Sequence, residues 1–150
     1  MKSAFNHADV AEMIARINRL TPESQRLWGK MTVDQMLAHV NVAYEMALDN
    51  THKRPGFVGR FLAKLFAKSM VVGDKPYPKN GMTAPEFKMS GSKDFAKEKQ
   101  RLIAYLEKTL ALGAQHFEGK ESLSFGPLTA KEWSTLFYKH NDHHLQQFGV

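Results

Sequence analysis

His140 and His144 stand four residues apart near the end of the chain, with His143 between them. On an α-helix, positions i and i+4 share a face, so two imidazoles at that spacing can grip one ion. A third imidazole, His39, lies far earlier in the chain. Neutral imidazole nitrogen suits zinc, nickel, iron and copper. Three such ligands, with water in a fourth position, make an open site of the catalytic sort. An ion held that way lowers the pKa of a bound water or thiol and acts as a Lewis acid. The bland reading stands beside this one. A histidine on an apolar face is usually a hydrogen-bonded core residue, and i,i+4 pairs also arise by chance. His143 is within reach of a ligand role too, because i,i+3 also shares a face.

The elements that must position these residues are helices. Thr129 and Glu132 fit a capping box, with Pro127 just upstream. Trp133, Leu136, Phe137, His140, His144 and Phe148 then follow helical spacing, so the histidines continue an apolar stripe. His144 is preferred over His143 because it lies on that stripe; His143 leans toward its edge. Asp142 points elsewhere and reads as surface. Gln147, three after His144, fits an orienting or pocket amide. Thr32 and Gln35 open an earlier helix, where Val33, Met36, Leu37, Val40, Ala43, Tyr44 and Ala47 form the stripe and His39 its flank. Tyr44 packs in the core, with its hydroxyl toward the site. His7, His52 and His116 fall at element ends or in loops, where solvated histidines are ordinary.

Residues 8–20 predict a first long helix, stopped by Pro22. Residues 57–72 predict a basic amphipathic helix that covers the core with its lysines outward. Gly73 ends it. Residues 73–91 hold Pro76, Pro78 and Pro85 and read as a long irregular segment, either a pocket mouth or a packed crossover. Residues 92–115 predict a further long helix, and 116–126 a loop with pieces too isolated to build a sheet. The expectation is an all-α fold: four long helices, one shorter helix and a long loop between the second and third long ones, in one domain over residues 1–150.

Composition narrows the classes. The chain has 150 residues and no cysteine, which excludes disulfides, thiolate metal sites and a cysteine nucleophile. The opening residues lack a continuous apolar run, and no stretch is long enough to span a membrane. These features predict a cytoplasmic protein. The formal charge is +6. Within 53–79, Lys53, Arg54, Arg60, Lys64, Lys68, Lys75 and Lys79 face only Asp74. A solvated surface is the ordinary meaning of such a segment, and no interleaved aromatic platform or motif points to nucleic acid.

The stretch WGKMTVDQMLAH, ending in His39, resembles the second-helix motif of the DinB-like superfamily. The closing HNDHHLQQFGV resembles that superfamily's H-x-x-H-H-x-x-Q ending. KPYPKNGMTAPEF and FGPLTAKEWSTLFYKHNDHH are similar to an uncharacterised DinB-like subfamily of about this length. The resemblance implies a bundle of four helices, commonly a homodimer, with a histidine triad for a divalent metal such as zinc, nickel or iron. It carries the triad onto His39, His140 and His144. Some relatives are metal-dependent thiol transferases that use mycothiol or bacillithiol; others isomerise maleylpyruvate, and others have no known activity. This chain carries Leu145-Gln146 where the usual pattern has R-G, and its 50–91 insertion departs from the plainest members. Two readings follow. One is a three-histidine metal protein acting on a small molecule, such as a low-molecular-weight thiol, by transfer or hydrolysis. The other is a metal-free interaction module that uses the basic 53–79 segment.

Overall fold

The computed structural model describes residues 2–49 and 51–150. Four long helices carry the core. They are α1 (His7–Asn18), α2 (Val33–Leu48), α5 (Phe95–Phe117) and α6 (Ala130–Gln147). Between α2 and α5 run α3 (Phe57–Leu62), a π-helical turn (Ala63–Ala67), α4 (Lys68–Val72) and a 3-10 turn (Pro85–Phe87). The fold is all-α in its main body, and no described helix is long and apolar enough to cross a membrane.

Local chemistry sets the helix starts. Asn6 Oδ1 accepts from the amides of Ala8 and Asp9 at 2.9 and 3.1 Å and opens α1. Both expected capping boxes form. The Thr32 amide donates to Gln35 Oε1 at 3.2 Å, and the Thr129 amide donates to Glu132 Oε2 at 2.8 Å. These caps fix which residues enter the helical repeat first. They therefore fix which face His39, His140 and His144 occupy.

Helix α2 is buried around most of its circumference, because α5 and α6 both pack on it. Helix α1 packs on α5 and α6 from the far side. Ile17, Leu37, Phe117 and Phe137 are fully buried. Tyr44 is sandwiched between Phe137 and Tyr105, with ring centroids 4.6 and 5.5 Å away and planes within 10°. Phe137 also stacks on Trp133 at 5.4 Å and meets Phe117 edge-on at 5.6 Å. Offset and edge contacts of this kind suit the aromatic quadrupole and add to the area buried.

Three expectations need correction. Residues 116–126 are not wholly irregular: β1 (Glu121–Ser122) pairs antiparallel with β2 (Gly126–Pro127). The two strands are short, but Trp133 Nε1 donates to the Lys120 carbonyl at 3.2 Å and pins the hairpin to α6. Helix α5 runs two residues past the expected end, through a break at Gly113 (φ 71°). The third correction concerns the basic helix. It does not lay its apolar face on the core, although Lys64 does point outward. Phe57, Phe61 and Phe66 face solvent, while Arg60 and Lys68 turn inward to Glu121 and Glu132 at 3.1 Å each. Those two carboxylates come from the hairpin and the start of α6, beyond the reach of any local pattern.

Phe137 is the tightest aromatic joint of the core. Phe137→Ala should cost about 3–5 kcal/mol through lost burial and a cavity. Urea denaturation followed by circular dichroism measures it; a loss below about 1 kcal/mol would contradict this account of the core.

Candidate metal centre

Helix α2 brings His39 from its middle, and α6 brings His140 and His144 from its last turns. One candidate ligand nitrogen from each ring lies within 4.8 Å of the others. The ring centroids are 5.0 Å apart for His39–His140, 4.5 Å for His39–His144 and 4.9 Å for His140–His144. His39 Nε2 is 3.1 Å from His140 Nε2. Nitrogens bound tetrahedrally to one zinc ion stand roughly 3.3 Å apart, so this separation suits a shared ion.

Hydrogen bonds choose the free nitrogen on two of the rings. His39 Nδ1 is 2.8 Å from the Phe87 carbonyl, an acceptor, so Nδ1 carries the proton and Nε2 keeps its lone pair. Gln147 Nε2 donates to the Trp28 carbonyl at 2.8 Å, which turns Gln147 Oε1 toward His144 Nδ1, also at 2.8 Å. His144 Nδ1 therefore donates as well, and its Nε2 is left bare. Imidazoles that bind metals are usually oriented by partners of this kind. In the metal-free chain, the His39–His140 contact then needs a proton on His140 Nε2.

Burial keeps the cluster neutral. His39 and His144 are only 5% and 8% exposed. Burial pulls the pKa of His39 below the usual 6.5, and the Phe87 carbonyl opposes this only in part. His140 lies well below that value, first through burial and then through repulsion from His144 and His39. His144 is pulled down to about 3, again by burial first and then by His39. Neutral imidazole is the form that binds a metal, so no proton has to be displaced from a charged ring near neutral pH.

The wall comes mainly from 73–91, the segment without regular long elements. Phe87 meets His39 and His140 edge-on at 5.3 and 5.7 Å. Tyr77 meets His140 and His143 edge-on at 6.3 and 5.5 Å. Trp28 closes on His143 at 5.9 Å, and Lys79 Nζ sits 4.4 Å over the Trp28 ring. Gly29 allows the 28–29 turn to approach Gln147. It has φ +83°, and a Cβ there would lie 2.4 Å from Gln147 Nε2.

The expected residues divide as follows. His39, His140, His144 and Gln147 come together. His143 lies beside them, partly exposed, between Trp28 and Tyr77. Tyr44 is a core residue, and its hydroxyl accepts from Asn141 Nδ2 at 2.6 Å instead of meeting a histidine. Asp142 pairs with Arg16 at 2.7 Å, on the outer side of α6.

Several contributors carried no sequence signal. The carbonyls of Phe87 and Trp28 are backbone groups, which residue type does not mark. Lys139 is 7% exposed and sends its ammonium into the end of α4. It donates to the carbonyls of Met70 (2.7 Å), Lys75 (3.0 Å) and Gly73, beneath the Tyr77 ring. The Met70 carbonyl is an unpaired acceptor of the last turn of α4, and Gly73 and Lys75 follow it, so one cation satisfies the helix end and the chain beyond it. Only the placement of Lys139 within a mostly buried helix hinted at the role.

The depressed histidines make stability depend on pH. Below about 6.5 the unfolded chain binds protons that the folded cluster refuses, so stability falls with pH; above it both states are neutral. The metal-stripped protein should show a flat urea midpoint above about pH 6.5 and a falling one between 6.5 and 5. His140→Gln should flatten that slope. A wild-type midpoint constant down to pH 5 would refute the buried, neutral cluster.

No curated protein and no solved structure matches the chain. A family model described as "Protein of unknown function (DUF1569)" matches residues 1–149. That match takes in both the α2 histidine and the α6 pair, and the chain therefore belongs to the DUF1569 family of uncharacterised proteins.

Proposed function

We propose that the chain is a divalent-metal protein whose ligands are His39, His140 and His144, and that it acts on a small molecule by metal-assisted transfer or hydrolysis. The observation that carries this reading is the convergence of three imidazoles, two of them buried, with Nδ1 committed to an acceptor and Nε2 directed inward on those two. Zinc, nickel and iron fit the all-nitrogen donor set. A low-molecular-weight thiol is the substrate class that the DinB-like resemblance favours, within a four-helix bundle. The family match assigns no activity, so reaction and substrate rest on site chemistry and that resemblance.

The bound ion would supply Lewis acidity, lowering the pKa of a water or thiol in the remaining position. The chain's own residues do the rest. The Phe87 carbonyl and Gln147 hold two rings in the tautomer that presents Nε2. Trp28 holds Gln147 through its carbonyl. Phe87 and Tyr77 pack against the rings and keep bulk water from them. His143, partly exposed beside Tyr77, stands where it can exchange a proton with a group at that edge.

Purified without a tag and supplied with zinc or nickel, the protein should retain about one ion per chain by elemental analysis. His39→Ala and His140→Ala should each fall below about 0.1 ion per chain while keeping their helical circular dichroism, since two imidazoles hold a divalent ion far less well than three. Wild-type occupancy below that level would leave the histidines as packing residues.

Gln147→Leu should weaken metal affinity about 10–100-fold with all three ligands intact, because it frees the His144 ring. Titration against a chromogenic chelator reads this directly. Unchanged affinity would remove Gln147 from the site.

A further inference from the structure

The segment from α3 to α4 is amphipathic in reverse. Phe57, Val58, Phe61, Leu62, Leu65 and Phe66 recur as adjacent pairs every four residues, so they occupy one face. That face points away from the rest of the chain: Phe57 is 85% exposed, Phe66 72% and Phe61 58%. Weighted by exposure, the six side chains offer roughly 700 Å² of apolar surface. The largest apolar patch on an ordinary monomer is about 300–600 Å². One partner in a standard protein interface contributes about 800 Å².

We propose that this face is an interface with a second copy of the same chain, packed helix against helix about a two-fold axis. Three observations favour a second copy over an anionic lipid surface. First, the area left open is close to one partner's share of a standard interface. Second, three of the nearby cations are already paired within the chain. Arg54 and Arg60 pair with Glu121, and Lys68 pairs with Glu132. A helix that seeks anionic lipid keeps its cations for the headgroups. Here two of the three cations of 57–72, Arg60 and Lys68, lie behind the apolar face and are paired there. Third, the face has a firm base. Lys139 ties the carbonyls of Met70, Gly73 and Lys75 to α6, so the surface is held in place before it meets a partner. A uniformly apolar helix face is self-complementary, as an isologous contact requires.

The test is sedimentation velocity on the full chain from about 1 to 100 µM, beside flotation with vesicles of phosphatidylcholine alone or with added phosphatidylserine. The wild type should approach twice its 17.0 kDa mass as concentration rises and should not float with either vesicle. Phe61→Glu/Phe66→Glu should raise the dimer dissociation constant at least about 100-fold, because it places charge at the centre of the contact. Both positions are exposed, so circular dichroism and metal content should match the wild type. A wild type that stays at 17.0 kDa at 100 µM, or a double variant that still dimerises, would overturn the proposal. Flotation of the wild type with the phosphatidylserine vesicles, lost in the double variant, would assign the face to lipid instead. Metal occupancy is read separately, so the fate of the metal site does not decide this outcome.

Discussion

Three imidazole rings with centroids about 5 Å apart share a space that does not tolerate three positive charges. Burial removes the water that would stabilise imidazolium, and each ring repels charge on the others. The chain answers with neutral rings and fixed tautomers. A carbonyl accepts a hydrogen bond from His39 Nδ1–H, and an amide oxygen accepts one from His144 Nδ1–H. What remains is two Nε2 lone pairs, on His39 and His144, of which His140 Nε2–H satisfies only the first, a costly arrangement unless something electropositive sits among them. That is the physical case for a metal. Hydrogen bonding alone leaves the cluster less well satisfied, since only one short nitrogen–nitrogen contact is available to absorb it.

Much of the surrounding structure serves that arrangement. Helix α2 can carry a buried histidine because α5 and α6 cover it, and the aromatic stack through Tyr44 and Phe137 sets the distance between α2 and α6. Helix α6 serves two sides at once. His140 faces inward, while its neighbour Lys139 reaches the end of α4 and holds the stretch that delivers Tyr77. A buried ammonium is expensive, and burial pushes its pKa down. Three carbonyl acceptors offset that cost and fix the outer layer to the ligand helix. The irregular segment 73–91 thus packs against α6 and lines the histidine cluster at the same time.

The sequence reading succeeded where the physics is local. Capping boxes at Thr32 and Thr129, the apolar stripes and the one-face spacing of His140 and His144 follow from helical periodicity alone. It failed at the 57–72 helix, where periodicity showed an apolar face without showing its direction. An amphipathic helix has the same pattern whether its apolar side meets its own core or another surface. In the fold the apolar side is turned outward, and Arg60 and Lys68 meet Glu121 and Glu132 on the other side. Tyr44 shows the same limit. Its place on the stripe was legible, but the partner of its hydroxyl, Asn141, lies on another helix.

By itself, then, the order of residues determined the four long helices, the capped starts of α2 and α6, the pair of imidazoles on one face of α6 and the absence of any thiol chemistry from the chain's own side chains. Tertiary structure alone decided that His39 meets that pair and which nitrogen each oriented ring presents. It also decided that a lysine clamps the outer layer and that a phenylalanine-rich face is left open. The reason is the range of the interactions. Periodicity and capping act within a few residues. The site is closed by the carbonyls of Phe87 and Trp28, whose positions depend on how distant segments pack and whose chemistry is the same at every residue.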